Sequence, residues 1–218
     1  MGAMQFTDPR AAEVFAEYDA RHRHEQELTR DLPRASFGDR RDEFLLPVGA
    51  AVGNFLRALA LGKEAPAILE LGTSYGYSTL FLADAARQTG GRVVSIDLDP
   101  AKQEYAAHML ARAGLAEWVE FRSGDALDLV AADPGPFDLV LLDIWKNLYP
   151  ACFEAVYPKL AEEGALVSDN MIYPESAREA VRAYRASMRA KDDLQSVLLP
   201  LGSGIELTVK WSAGSPKL

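Results

Sequence analysis

Ala67-Ile68-Leu69-Glu70-Leu71-Gly72-Thr73-Ser74-Tyr75-Gly76-Tyr77-Ser78 is the stretch that decides the fold. An apolar run carries one acid at Glu70, meets Gly72, and after Gly76 passes into the helical pattern Ser78-Thr79-Leu80-Phe81-Leu82-Ala83. A buried parallel strand that ends in a glycine turn and opens into a helix makes a small-molecule site. The first N–H groups of the helix lack partners, and a residue without Cβ lets a ligand touch backbone. A dinucleotide fingerprint needs G-x-G-x-x-G, whereas this loop has G-x-x-x-G with a Glu two residues ahead. Two glycines alone also fit an ordinary strand-to-helix turn, so the flanking chain must decide.

Outward from that stretch the chain alternates regularly. Strands are predicted at Ala67–Leu71, Arg92–Asp97, Val119–Arg122, Phe137–Asp143 and Ala165–Asp169. Between them lie helical patterns at Tyr77–Thr89, Pro100–Ala113, Ala126–Ala131 and Tyr149–Ala161. Such alternation means right-handed βαβ units and a mostly parallel sheet. A helix over Ser176–Ala190 precedes two β-rich runs, Leu194–Pro200 and Ile205–Trp211, joined by Leu201-Gly202-Ser203-Gly204, which reads as an antiparallel hairpin. Upstream, Asp8-Pro9 is an N-cap followed by proline at the first helical position, opening a helix to about Leu28. His22 and His24 diverge by about 200° around that helix, which suits a solvated face better than a metal pair. Leu32-Pro33-Arg34 breaks the pattern, Ser36–Arg41 reads as a polar loop, and a second helix is expected over Ala50–Leu61.

Three strands end on an acid: Asp97, Asp143 and Asp169, the last followed directly by Asn170. Ligands of open α/β sheets bind beyond the carboxyl ends of the strands, so these acids converge on one crevice with Gly72. Each alone could be a helix cap; together they are hard to explain that way. Asp97 stands where an acid accepts from ribose hydroxyls. Asp143, Asp169 and Asn170 make a hard, all-oxygen ligand set suited to Mg²⁺, Mn²⁺ or Ca²⁺ rather than Zn²⁺. Lys146 follows Asp143 by three residues. An ammonium held beside a divalent cation gives up its proton more readily, which suits a general base, and a surface lysine at a helix start is the plainer alternative.

Glu70-Leu71-Gly72 with Gly76-Tyr77-Ser78, Asp143-Ile144-Trp145-Lys146, and Ser168-Asp169-Asn170 resemble the motifs of the cation-dependent O-methyltransferases, the catechol and caffeoyl-CoA enzymes, over roughly Phe44 to Trp211. The resemblance implies an α/β, Rossmann-like class I methyltransferase fold: a mostly parallel seven-stranded sheet with a C-terminal antiparallel hairpin and helices on both faces. It implies one domain over residues 1–218, with 1–45 as a helical cap contributing to the substrate pocket. It further implies S-adenosylmethionine (SAM) as cofactor. Val48 and Ser78 would hold its methionine carboxylate, Gly72 its amine and Asp97 its ribose, and Trp145 would pack on the adenine. Glu70, Leu98, Asp125, Ala126 and Asp143 complete the implied cofactor set, Asp125 being equally suited to cap a helix. Asp143, Asp169 and Asn170 would bind Mg²⁺, and Lys146 would take the proton from the hydroxyl being methylated. Phe44, Trp145, Lys146, Asn170 and Pro174 would surround a flat dihydroxy aromatic substrate. Two departures stand out: Ile144 follows the first metal-binding acid where His or Ala is common, and Leu198-Leu199-Pro200 offers no acid for a second hydroxyl.

Composition narrows the classes. A net charge of −9 provides no basic surplus to displace counterions from phosphates, which argues against a nucleic-acid partner. No apolar run reaches the length of a membrane span. The lone Cys152 excludes an internal disulfide and reads as a buried structural thiol; with no basic-then-apolar leader pattern, a cytoplasmic location is expected. A homodimer is expected from the caffeoyl-CoA branch and from the apolar stripe of the N-terminal helix, which needs a surface to cover it, either a second copy or the chain's own sheet. Two other readings share the pattern: a metal-independent SAM methyltransferase acting on another nucleophile, and a non-catalytic SAM-binding module.

Overall fold

Ala67–Leu71 forms the central strand, β1, of the computed structural model, which describes residues 6–30 and 40–211. The expected break at Leu32-Pro33-Arg34 and most of the polar loop lie outside those residues; Arg41 already belongs to a 3₁₀ turn, Arg41–Glu43. The remaining strands are β2 (Arg92–Asp97), β3 (Val119–Ser123), β4 (Phe137–Leu142), β5 (Leu160–Ser168), β6 (Leu194–Leu199) and β7 (Ile205–Lys210). They form one sheet in the order β3-β2-β1-β4-β5-β7-β6. β1 pairs in parallel with both β2 and β4, and β7 runs antiparallel between β5 and β6. The strand order therefore reverses between β1 and β4, which is where open α/β sheets bind their ligands.

The helices are α1 (Pro9–Thr29), α2 (Ala50–Gly62), α3 (Tyr77–Thr89), α4 (Pro100–Arg112), α5 (Ala126–Ala132), α6 (Tyr149–Val156) and α7 (Arg178–Arg189). Alternation along the strands divides them between two faces. Ile68 belongs to a core shared with Val14, Tyr18, Leu56, Phe81 and Leu110 from α1 to α4. Leu69 and Leu71 belong to the opposite core, with Val130, Phe153, Val181 and Tyr184 from α5 to α7. α2 and α3 are further joined by Arg57 and Asp84, 2.7 Å apart, with Asp84 fully buried and also paired to Arg87 at 2.8 Å. Asp84 thus carries two guanidinium partners, one from each helix.

Three expectations need correction. The helix expected over Tyr149–Ala161 stops at Val156 and continues only as a 3₁₀ turn, Tyr157–Lys159. Pro158 removes a backbone donor and disfavours helical geometry in the residue before it. β5 consequently starts at Leu160 rather than Ala165, pairing with Phe137 across an irregular register. The apolar stripe of α1 is covered within the chain: Ala11, Val14 and Tyr18 are buried against α3 and α4. It therefore gives no argument for a second copy. His22 bonds Gln26 one turn on and His24 is exposed, a solvated face as expected. Cys152 is buried, and burial pushes its thiol up to about 11.

Candidate active site

Gly72 takes φ +104°, and a Cβ built there would stand 2.0 Å from the Asp143 carbonyl oxygen, so the ends of β1 and β4 meet through a residue that must be glycine. Gly72 and Thr73 both donate to the Ile96 carbonyl, at 2.9 and 3.2 Å, and Asp143 donates to Leu71 at 2.9 Å. The ends of β1, β2 and β4 are thus fixed to one another. Gly76, at φ +87°, opens α3, and no side chain caps that helix.

Beneath this loop lies Glu70, fully buried. Ser78 and Thr79 each donate to it at 2.6 Å, and Ser95 of β2 donates at 2.5 Å. Burial pushes its carboxyl up to about 7 despite these hydroxyls. Glu70 ties β1, β2 and α3 together at the base of the glycine loop. The Ser78 hydroxyl is likewise committed to Glu70, and what Ser78 presents at the helix start is its backbone N–H. Asp97 is half-buried, and its two oxygens accept from Ser74 N (2.7 Å) and Asp99 N (2.9 Å), which leaves acceptor capacity on each.

Asp143 and Asp169 directly follow β4 and β5, adjacent strands. Asp169 is 2% exposed, and its Oδ1 has no hydrogen-bond partner. Burial, reinforced by the charge of Asp143, raises its carboxyl to about 7. Asn170 sits at φ +55°, a left-handed conformation asparagine tolerates, and reverses the chain so that Met171 N reaches Gly204 O at 2.8 Å. Lys146 Nζ lies 3.4 Å from Asp143 Oδ1, 3.2 Å from Ile144 O and 2.5 Å from Tyr149 Oη. Among the described residues no three His, Cys, Asp or Glu side chains come together as a metal site. The oxygen group here is two acids and an amide.

The other expected residues have the following surroundings. Trp145 is 53% and Leu98 75% exposed. Val48 is half-buried ahead of α2, Pro174 is exposed after β5, and Phe44 is buried with the Arg40 guanidinium 5.8 Å from its ring centre. Asp125 caps α5, accepting from Leu127 N at 2.8 Å, with Ala126 opening that helix.

A family model described as O-methyltransferase matches residues 20–211. The chain belongs to the O-methyltransferase family. This methyltransferase is 34% identical over 163 residues to a catechol O-methyltransferase of Niastella koreensis, covering 68% of this chain and 73% of that one. It is 30% identical over 185 residues to caffeoyl-CoA O-methyltransferase 1 of Zea mays, covering 75% and 71%. Its fold is similar to the O-methyltransferase TomG of Streptomyces achromogenes, solved with SAM, at a TM-score of 0.74, 28% identity, and coverage of 92% and 90%. Among the described residues of the methyltransferase, no helix is long and apolar enough to cross a membrane.

Several residues that shape the site give no signal in sequence. Tyr18 of α1 donates to the Tyr75 carbonyl at 2.5 Å, anchoring the glycine loop from 57 residues away. Arg21 lies 4.0 Å from the Tyr75 ring centre and donates to Glu43 O at 3.2 Å, while Glu25 accepts from Leu45 N at 2.8 Å. Through these contacts α1 joins the loop to the segment carrying Phe44. Gln103 donates to Thr73 Oγ1 and to Ser95 O, both at 3.0 Å, bracing the same loop from α4.

Proposed function

We propose that this methyltransferase moves a methyl group from SAM to one hydroxyl of a small aromatic diol, in a crevice where Asp143, Asp169 and Asn170 hold a divalent cation and Lys146 accepts the hydroxyl proton. The observation that carries this reading is the buried, partnerless Oδ1 of Asp169 close to the charge of a second carboxylate, Asp143. Buried polar atoms are ordinarily paired, and two like charges close together are costly unless a cation joins them. A divalent cation bound there neutralises both acids and acidifies a hydroxyl that reaches it. The names of the relatives, a catechol and a caffeoyl-CoA enzyme, support an aromatic substrate with adjacent oxygens.

The chain's own residues supply the rest. The uncapped start of α3 suits the methionine carboxylate, and glycine at Gly72 lets the backbone come close to the cofactor. Asp97 has lone pairs to spare for ribose hydroxyls. Lys146, as the neutral amine, takes the hydroxyl proton onto the lone pair of Nζ and becomes the ammonium as the oxygen becomes nucleophilic. Phe44, Trp145 and Pro174 are suited to confine a flat ring. Alignment of oxygen, methyl carbon and sulfur is the main task left, and rigid strand ends accomplish it.

Incubation with SAM and a panel of catechols, read by product mass, tests the reading: a gain of one methyl on the diols supports it, and methylation confined to amines, carboxylates or isolated hydroxyls contradicts it. Asp97→Ala is expected to weaken SAM binding about 10–100-fold by calorimetry, since hydrogen bonds to charged groups contribute about 1.5–3 kcal/mol. Unchanged affinity would remove Asp97 from the cofactor site. A homodimer is also proposed, on the resemblance to the caffeoyl-CoA branch alone. Light scattering at micromolar concentration checks it, and a monomer's mass contradicts it.

A further inference from the structure

Three residues after Lys146, Tyr149 opens α6 with its side chain fully buried. Its hydroxyl lies 2.8 Å from Leu142 O, 3.2 Å from Asp169 O and 2.5 Å from Lys146 Nζ. The direction of these bonds is settled by chemistry. A carbonyl oxygen only accepts, so the single phenolic proton goes to the main chain of β4 and β5, and the lone pairs face the lysine. Lys146 must be the donor. The ring is held in turn: it meets Tyr184 edge-on with centroids 5.3 Å apart, and Tyr184 Oη lies 2.5 Å from Ser168 Oγ. One hydroxyl thus connects the proposed base to the residue before Asp143 and to the carbonyl of Asp169.

We propose that Tyr149 is the positioning residue for Lys146, fixing Nζ against the ends of β4 and β5 where Asp143 and Asp169 stand. This rests on the reading of Lys146 as the base. A lysine has four rotatable side-chain bonds, and unrestrained it would sample many positions. The contacts with Tyr149 and Ile144 O hold Nζ in one place, 3.4 Å from Asp143 Oδ1, rather than leaving it to sample many. Tyr149 touches neither the cofactor nor the reacting oxygen in this account; it acts through Lys146.

The test is Tyr149→Phe, which removes the hydroxyl and keeps the ring against Tyr184, measured alone and combined with Lys146→Ala on enzyme supplied with SAM, Mg²⁺ and catechol. A displacement of about 1 Å can cost about 100-fold, so kcat should fall about 10–100-fold with KM and calorimetric SAM affinity nearly unchanged. In the Lys146→Ala background the same substitution should cost almost nothing. A full kcat in Tyr149→Phe, or an equal loss in both backgrounds, overturns the inference. Wild-type turnover by Lys146→Ala instead overturns the reading of the base on which it rests. A crystal structure of Tyr149→Phe decides independently of turnover: Nζ displaced from Asp143 Oδ1 is expected, and Nζ unmoved overturns the proposal.

Discussion

Asp169→Ala is expected to cut turnover about 10²–10³-fold, the loss that follows from several kcal/mol of transition-state charge stabilisation. SAM affinity should stay nearly unchanged, because Asp169 is not among the proposed cofactor contacts. The fold should survive. Asp169 is buried against the like charge of Asp143, and its removal breaks no ion pair within the described residues, since Lys146 keeps Asp143 at 3.4 Å. Calorimetry with SAM, a melting curve and turnover on catechol check the three statements together. Full activity in the variant, after chelation and return of Mg²⁺, would show that the oxygen group is not a metal site.

Lys146→Ala is expected to slow methyl transfer by about 10²–10⁴-fold, the usual contribution of a positioned general base. Binding of SAM should be retained, and more acidic catechols should lose less, because their hydroxyl gives up its proton with less help. Rates on catechols of graded acidity, with SAM affinity measured alongside, separate the roles. A uniform loss accompanied by weaker SAM binding would mean that Lys146 only shapes the pocket. Normal turnover would end its assignment as the base.

Much of this architecture was readable from residue order alone. β1, β2, β4 and the helices between them announce themselves by period, and the acids after β4 and β5 fall at strand ends because the apolar runs stop there. The limit came where partners are distant in sequence. Glu70 stands out as an acid in an apolar strand, but its hydroxyl partners Ser78, Thr79 and Ser95 are set by the start of α3 and the pairing of β1 with β2. A buried acid in a strand gives no sign of which neighbours will satisfy it. Tyr149 looks like any aromatic residue opening a helix; only the 3₁₀ turn Lys146–Leu148 folds the lysine back onto it. The end of α6 differs, since Pro158 stands in the sequence and its effect on the preceding turn outweighs the apolar pattern that continues past it.

Methyl transfer is proposed to depend on a divalent cation held by Asp143, Asp169 and Asn170. The most direct measurement is turnover of a catechol with SAM on enzyme treated with EDTA and then desalted, before and after addition of Mg²⁺. Activity should vanish on chelation and return with Mg²⁺ in the wild type, and it should not return in Asp169→Ala. Undiminished methyl transfer by the chelated wild-type enzyme would contradict the account.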